Sequence, residues 1–305
     1  MDNWVDKLSK PFCIIAFDWD GTAVENRTAD ARPVAARLDE LMKLGVQIVV
    51  ITGTNFDNLN RQFCRLVRGP QKRNLYVLTN RGSEVFSFNE DSEPVLISRR
   101  EATDRENELL TRVAEAVRDT VRERGGPDIA IVYDRLNRRK IDLIPEPEWA
   151  DPPKSQIGEL LVATEERLRR GGIEGGIKEL FELTEKLSRD FGLENAKITS
   201  DVKHIEVGLT DKADSVAWVV NGLAPRVGAR ASEVLVAGDE FGPIAGFEGS
   251  DFKMVTEALG EAIFVSVGRE PNGVPPGVIH IGGGPTRFLQ LLDQQIALRT
   301  RTKAA

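Results

Sequence analysis

The stretch Phe12-Cys13-Ile14-Ile15-Ala16-Phe17-Asp18-Trp19-Asp20-Gly21-Thr22 decides how this chain is read. Its first half is an unbroken apolar run, which marks a strand buried on both faces of a parallel sheet. Two aspartates come next, then a glycine and a threonine. In open α/β sheets, sites form just past the carboxyl ends of the strands. Residues two apart in an extended segment face the same side. Asp18 and Asp20 are therefore placed to serve as a nucleophile and a general acid/base. Gly21 permits a sharp turn there, and the Thr22 hydroxyl can hydrogen-bond within it.

Working outward, the pattern repeats. Val34, Leu38, Leu41 and Met42 give 33–44 a helical period, with Gly45 as its stop. Val46 to Ile51 is a second buried strand, Phe56, Leu59, Phe63 and Leu66 mark a helix, and 75–78 is a third strand. The last third returns to this alternation. Strands are expected at 234–237, 262–267 and 278–281, with helices at 213–220 and 287–298. This is a doubly wound, Rossmann-like α/β core with a parallel sheet.

The middle differs. Thr103 and Glu106 form a capping box that opens a long helix, with Leu110, Val113, Ala114, Val117 and Val121 as its buried stripe. Two short runs, 129–133 and 140–144, joined through Arg135 to Arg138, read as a hairpin. A stiff linker with Pro145, Pro147, Pro152 and Pro153 comes after it. Helical stretches at 157–168 and 177–191, separated by a glycine-rich break, then lead to a second hairpin at 196–199 and 202–207. Two helix-hairpin units with one extra helix would build an antiparallel sheet with helices on one face. Such an insert is too long to be a loop. The expected domains are a core from 1–96 and 206–305, split by an α+β domain at 97–205.

Further polar residues sit where the core strands end. Thr52 and Gly53 close the second strand, where a hydroxyl and backbone N–H groups suit a phosphoryl oxygen. Equally, this could be an ordinary helix cap, for which Thr54 or Asn55 would do. Lys212 lies at a helix start, electrostatically misplaced unless it serves something anionic. Gly238-Asp239 lies just past another strand, and Asp251 just past a glycine-rich loop. Carboxylates gathered with Asp18 would suit Mg²⁺, a hard cation that prefers oxygen. Arg138, Arg139 and Lys140 cluster on the first hairpin of the insert, as a hold for a second part of a substrate or as an ordinary charged tip. Cys13 and Cys64 lack metal-ligand spacing and read as structural.

The bulk numbers narrow the partners. Of the 305 residues, 41% are apolar and 29% charged, so a core can be buried and the surface is well solvated. The net charge of -7 argues against a nucleic-acid partner. No apolar run is long enough to span a bilayer, and the polar, acidic N-terminus does not read as a secretory signal. A reducing cytoplasm is the expected setting.

The set Asp18-x-Asp20-Gly21-Thr22, then Thr52 after a strand, then Lys212, then Gly238-Asp239 resembles the haloacid dehalogenase-like superfamily. The insert resembles the caps of its Cof-type and trehalose-phosphate phosphatases, and the long loop from Asp239 to Asp251 resembles that of phosphomannomutases. The resemblance implies a phosphatase acting on a small phosphorylated molecule, most simply a sugar phosphate or a glycosyl-phosphoglycerate. It implies Asp18 as nucleophile, Asp20 as acid/base, Thr52 and Lys212 as holders of the phosphoryl group, and Gly21, Thr22 and Gly53 in its binding loops. Mg²⁺ would be held by Asp18, the Asp20 carbonyl and Asp239, with Asp251 at or next to the ion. A phosphomutase and a non-catalytic phosphosugar sensor are the alternatives. The first needs a second phosphate site, and the intact motif residues argue against the second.

Overall fold

The structure, a computed structural model, describes residues 7–150, 156–244 and 246–304. Residues 1–6 of the polar N-terminus, and Pro152 and Pro153 of the expected linker, lie outside them. The strands are β1 (Ile14–Asp18), β2 (Gln47–Ile51), β3 (Leu75–Thr79), β4 (Glu84–Phe88), β5 (Pro94–Arg99), β6 (Ala130–Arg135), β7 (Arg138–Asp142), β8 (Lys197–Ser200), β9 (His204–Gly208), β10 (Val234–Gly238), β11 (Ile263–Ser266) and β12 (Val278–His280). The helices that matter below are α1 (Arg32–Lys43), α2 (Phe56–Gln62), α3 (Asp104–Glu123), α4 (Ile157–Arg170), α5 (Gly176–Asp190), α6 (Lys212–Trp218) and α7 (Gly284–Ala304).

Two compact units result. One comprises Met1–Arg99, Asp211–Pro243 and Gly249–Ala305, the other Arg100–Thr210 and Ile244–Glu248. The short piece Ile244–Glu248, read from sequence as part of the core loop, thus belongs with the insert.

The first unit is an eight-stranded sheet in the order β12-β11-β10-β1-β2-β3-β4-β5. The six strands from β12 to β3 are parallel. The apolar run of β1 is explained by its two faces. Ile15 and Phe17 pack with α1 and α7 through Leu38, Leu41, Phe288 and Leu292. Ile14 and Ala16 pack with Val216, Val219 and Leu223 on the other side. Each of the larger side chains among these, fully buried, stabilises the fold by roughly 1.5–3 kcal/mol. The hairpin β4–β5, antiparallel to β3 and to itself, was not expected from sequence. Every residue of β5 is exposed, so the strand carries no burial pattern to read.

The second unit is a four-stranded antiparallel sheet, β6-β7-β9-β8. Helices α3, α4 and α5 pack on the face that carries Ile131, Ile141, Ile198 and Ile205. Period-two alternation sends the intervening residues to the opposite face. The first hairpin turns more tightly than expected. β6 runs to Arg135 and β7 starts at Arg138, with Asn137 in the left-handed region at φ +59°. The capping box at Thr103 and Glu106 forms as read. Ile244 and Phe247 pair with each other and join this unit's core, Phe247 resting on Phe181 with ring centroids 5.0 Å apart. No described helix is long and apolar enough to cross a membrane.

Candidate active site

Strand order makes the site. β1 is flanked by β2 on one side and β10 on the other. The chain leaves β1 in one direction and returns later on the opposite side, so a crevice opens at its carboxyl end. The registers Asp18↔Ile51 and Phe17↔Ala237 bring the three strand ends level. Asp18, Thr52 and Asp239 therefore emerge side by side.

Asp18 is the last residue of β1 and is buried. The chain then turns through Gly21, which has φ +90° and whose N–H donates to the Val24 carbonyl at 2.7 Å. Asp20 lies in this turn and pairs as an isolated bridge with Val24. The buried Thr22 hydroxyl donates to Asp239 Oδ1 at 3.1 Å, tying the loop after β1 to the loop after β10.

Thr52 is buried just past β2, and its N–H donates to the Leu78 carbonyl at 2.9 Å. The capping of α2 falls to Asn55, whose side chain accepts from Asn58 N at 3.0 Å. Thr52 is therefore not the cap of this helix. Its hydroxyl accepts from Thr54 N at 3.2 Å, which fixes its rotamer at the strand end. Beside it stands Arg81, which the sequence reading did not single out. Its backbone is left-handed at φ +54°, its N–H donates to the Thr52 carbonyl at 3.0 Å, and its side chain runs past Gly53. No periodicity announces such a residue, because it sits in a turn.

Lys212 is the first residue of α6, next to the cap Asp211, whose side chain accepts from Ala213 N at 2.8 Å. Its Nζ donates to Asp18 Oδ1 at 2.7 Å, to Asp251 Oδ1 at 2.5 Å and to Ser250 Oγ at 3.3 Å. Burial opposes the ammonium charge, yet Coulombic attraction and hydrogen bonds from Asp18 and Asp251 outweigh it. The Lys212 pKa rises above its ordinary value. The misplaced cation of the sequence thus has its anions.

Asp239 comes directly after β10. Asp251 is fully buried and has both oxygens engaged: Oδ1 takes Lys212, and Oδ2 accepts from the N–H groups of Asp239 and Glu240 at 2.8 and 2.9 Å. A Cβ at Gly238 would fall 2.5 Å from that same Oδ2, so only glycine lets the carboxylate in. Oxygen atoms of Asp18, Asp239 and Asp251 all lie within 4.8 Å of one another. An all-carboxylate donor set fits a hard divalent cation such as Mg²⁺. With Asp251 already accepting at both oxygens, Asp18 and Asp239 are the better placed to reach it.

The basic residues of the insert separate by strand alternation. Arg139 is buried on the helix side, where its Nε donates to Thr111 Oγ1 at 3.1 Å, and desolvation lowers its pKa. Arg138 and Lys140 lie on the other face. There they bracket one carboxylate, Glu206, at 3.1 and 2.7 Å. Glu206 went unremarked in the sequence, because the β7–β9 register that sets it opposite Lys140 is a tertiary pairing.

No family model and no curated relative matches the chain. Solved structures do. An N-terminally truncated, IMP-bound IMP-nucleotidase of Plasmodium falciparum is 11% identical with a TM-score of 0.60, over 94% of this chain and 69% of that one. Two crystal forms of the trehalose-6-phosphate phosphatase of Aspergillus fumigatus are 14% and 13% identical, with TM-scores of 0.57 and 0.58. They cover 97% and 96% of this chain and 98% and 96% of theirs. Identity this low speaks to architecture, and the architecture agrees along nearly the whole length. The chain shares the fold of these structures, an α/β core with an inserted α+β unit.

Proposed function

We propose that the chain is a phosphomonoester hydrolase that works through an aspartyl phosphate on Asp18. The observation that carries this reading is the buried Lys212 ammonium 2.7 Å from Asp18, within a cluster of three carboxylates, two of them at the ends of the adjacent strands β1 and β10. A carboxylate and a phosphate repel, so an attacking aspartate needs fixed positive charge beside it.

An Asp18 oxygen attacks phosphorus, and the P–O bond to the alcohol breaks as the new O–P bond forms. Asp20 gives its proton to the departing oxygen, which leaves as the alcohol. Asp20, now a carboxylate, takes a proton from water, whose oxygen attacks the aspartyl phosphate. Inorganic phosphate leaves and Asp18 is restored. Thr52 and the Gly53 loop hold phosphoryl oxygens, with Gly21 and Thr22 shaping the opposite wall, and Lys212 offsets the charge on Asp18 and the phosphoryl group. Mg²⁺ held by Asp18, the Asp20 carbonyl and Asp239 would supply further charge neutralisation at the attacked phosphorus. Asp251 serves the lysine and the loop.

For the substrate we propose a sugar phosphate, with the cap sheet reading the sugar through Arg138, Lys140 and Glu206. The neighbours' names carry a nucleotide in one case and a sugar phosphate in the other. Two cations around one carboxylate make a face of mixed donors and acceptors, suited to hydroxyl groups. It is less suited to the second phosphate that a mutase must hold, and this supports hydrolysis over the mutase reading. The test is phosphate release over a panel of sugar phosphates and nucleoside monophosphates, with Mg²⁺ and after chelation. Mg²⁺-dependent turnover with preference for a sugar phosphate is expected. Full activity in the metal-stripped protein, or isomerisation that requires a bisphosphate activator, would overturn it.

A further inference from the structure

The segment that leaves β11 holds a carboxylate that the hydrolysis does not use. Glu270 is buried and adopts a left-handed backbone, φ +45°, that L-residues rarely take. Its Oε1 accepts from Phe241 N at 2.8 Å and from Ser266 Oγ at 2.6 Å, and its Oε2 accepts from Gly242 N at 2.8 Å. These donors all lie in the core unit. Two of them continue a series: the N–H groups of Asp239 and Glu240 go to Asp251, and those of Phe241 and Gly242 go to Glu270. Two buried carboxylates thus take four consecutive amides. The same β11 segment supports the loop from behind. Val267 N donates to the Gly238 carbonyl at 2.9 Å, and Gly268 lies so close to the Asp239 carbonyl that a Cβ there would collide with it.

We infer that Glu270 is a positioning residue for the cation site: by holding the backbone at 241–242 it fixes the Asp239 carboxylate in place before an ion arrives. The inference rests on the hydrolase reading, in which Asp239 is a ligand. A loop whose amides are already claimed has little freedom to lose when the ion binds, so the affinity gains from the order built in. A glutamine at 270 would keep the shape but turn its NH₂ group toward an amide donor. One of the bonds would be lost and a donor would face a donor.

The experiment is Mn²⁺ binding by calorimetry to the full chain without substrate, for wild type and Glu270→Gln, alongside the Mg²⁺ dependence of phosphate release. Glu270→Gln is expected to bind Mn²⁺ about ten-fold more weakly. Its half-saturating Mg²⁺ should rise by a similar factor, while kcat at saturating Mg²⁺ stays within about three-fold. A merely structural defect would lower the melting temperature and leave the Mn²⁺ affinity of the folded chain unchanged. If Glu270→Gln does not fold, Ser266→Ala, which removes one donor and leaves both amides, is expected to weaken Mn²⁺ binding about three-fold. Unchanged Mn²⁺ affinity in either folded variant overturns the positioning role alone. A wild-type chain that binds no Mn²⁺ overturns the metal-dependent reading and this inference with it.

Discussion

The two sheets of this molecule place their charges in opposite ways. In the eight-stranded sheet the charged groups of the candidate site stand at the strand ends, with Asp18 closing β1 and Asp239 just past β10. In the four-stranded sheet they stand along the strands themselves, with Arg138 and Lys140 on β7 opposite Gly208 and Glu206 on β9. The cause is what covers each sheet. The central strands of the first are buried on both faces, so an interior polar side chain would lack a partner and chemistry is pushed to the ends. The second has helices on one face, so every other residue of its strands is free to be polar. One arrangement suits a fixed chemical step at one point. The other suits a broad surface of donors and acceptors.

If that contrast holds, the largest effect belongs to a strand end. Asp18→Asn keeps the shape but removes the proposed nucleophile, and phosphate release should fall on the order of 10³-fold or more. Turnover within ten-fold of wild type would break the assignment, provided circular dichroism shows the variant folded.

Lys212→Met comes next. It leaves Asp18 and Asp251 facing each other in a buried site, so both turnover and stability should drop, the latter by about 3 kcal/mol. The sign of the pH dependence comes from the raised lysine pKa. A group whose pKa is raised on folding keeps its full stabilisation below its unfolded value, here 10.5, and loses it only above. The melting-temperature gap between wild type and Lys212→Met, attributable to this cation, should therefore stay level from pH 7 to about 9. A gap that closes across that range would show that the ammonium is not held as described.

The cap sheet offers a paired test on one strand. Lys140→Ala, on the face away from the helices, should raise KM for the best of the proposed sugar-phosphate substrates about ten-fold and barely change turnover of p-nitrophenyl phosphate. Arg139→Ala, on the helix face, should lower the melting temperature with little effect on either KM. Equal responses from the two neighbours would mean that strand alternation does not sort recognition from packing here.

The smallest expected effect is local. Thr103→Ala removes the hydroxyl that accepts from Glu106 N, and should cost about 1 kcal/mol of stability without touching kinetics. Chemical denaturation of both proteins checks it.

The sequence by itself determined the six parallel strands of the core, though not the β4–β5 hairpin, together with the insert and most of the candidate site. A strand buried on both faces must be written as an apolar run such as 12–17, and the first polar residues past that run are the ones the strand end presents. Local hydrogen bonding made the capping box at Thr103 equally legible. Tertiary structure alone decided what each polar group meets. Lys212 lies 194 positions from Asp18, and only the packing of α6 against β1 brings them to 2.7 Å. The two engaged oxygens of Asp251, the clamp of Glu270 on 241–242, the pairing of Arg138 and Lys140 with Glu206 and the transfer of Ile244–Glu248 to the second unit are of the same kind. Periodicity reports whether a residue faces a core. It carries no record of which strand lies alongside, and electrostatic partners are set by that neighbour.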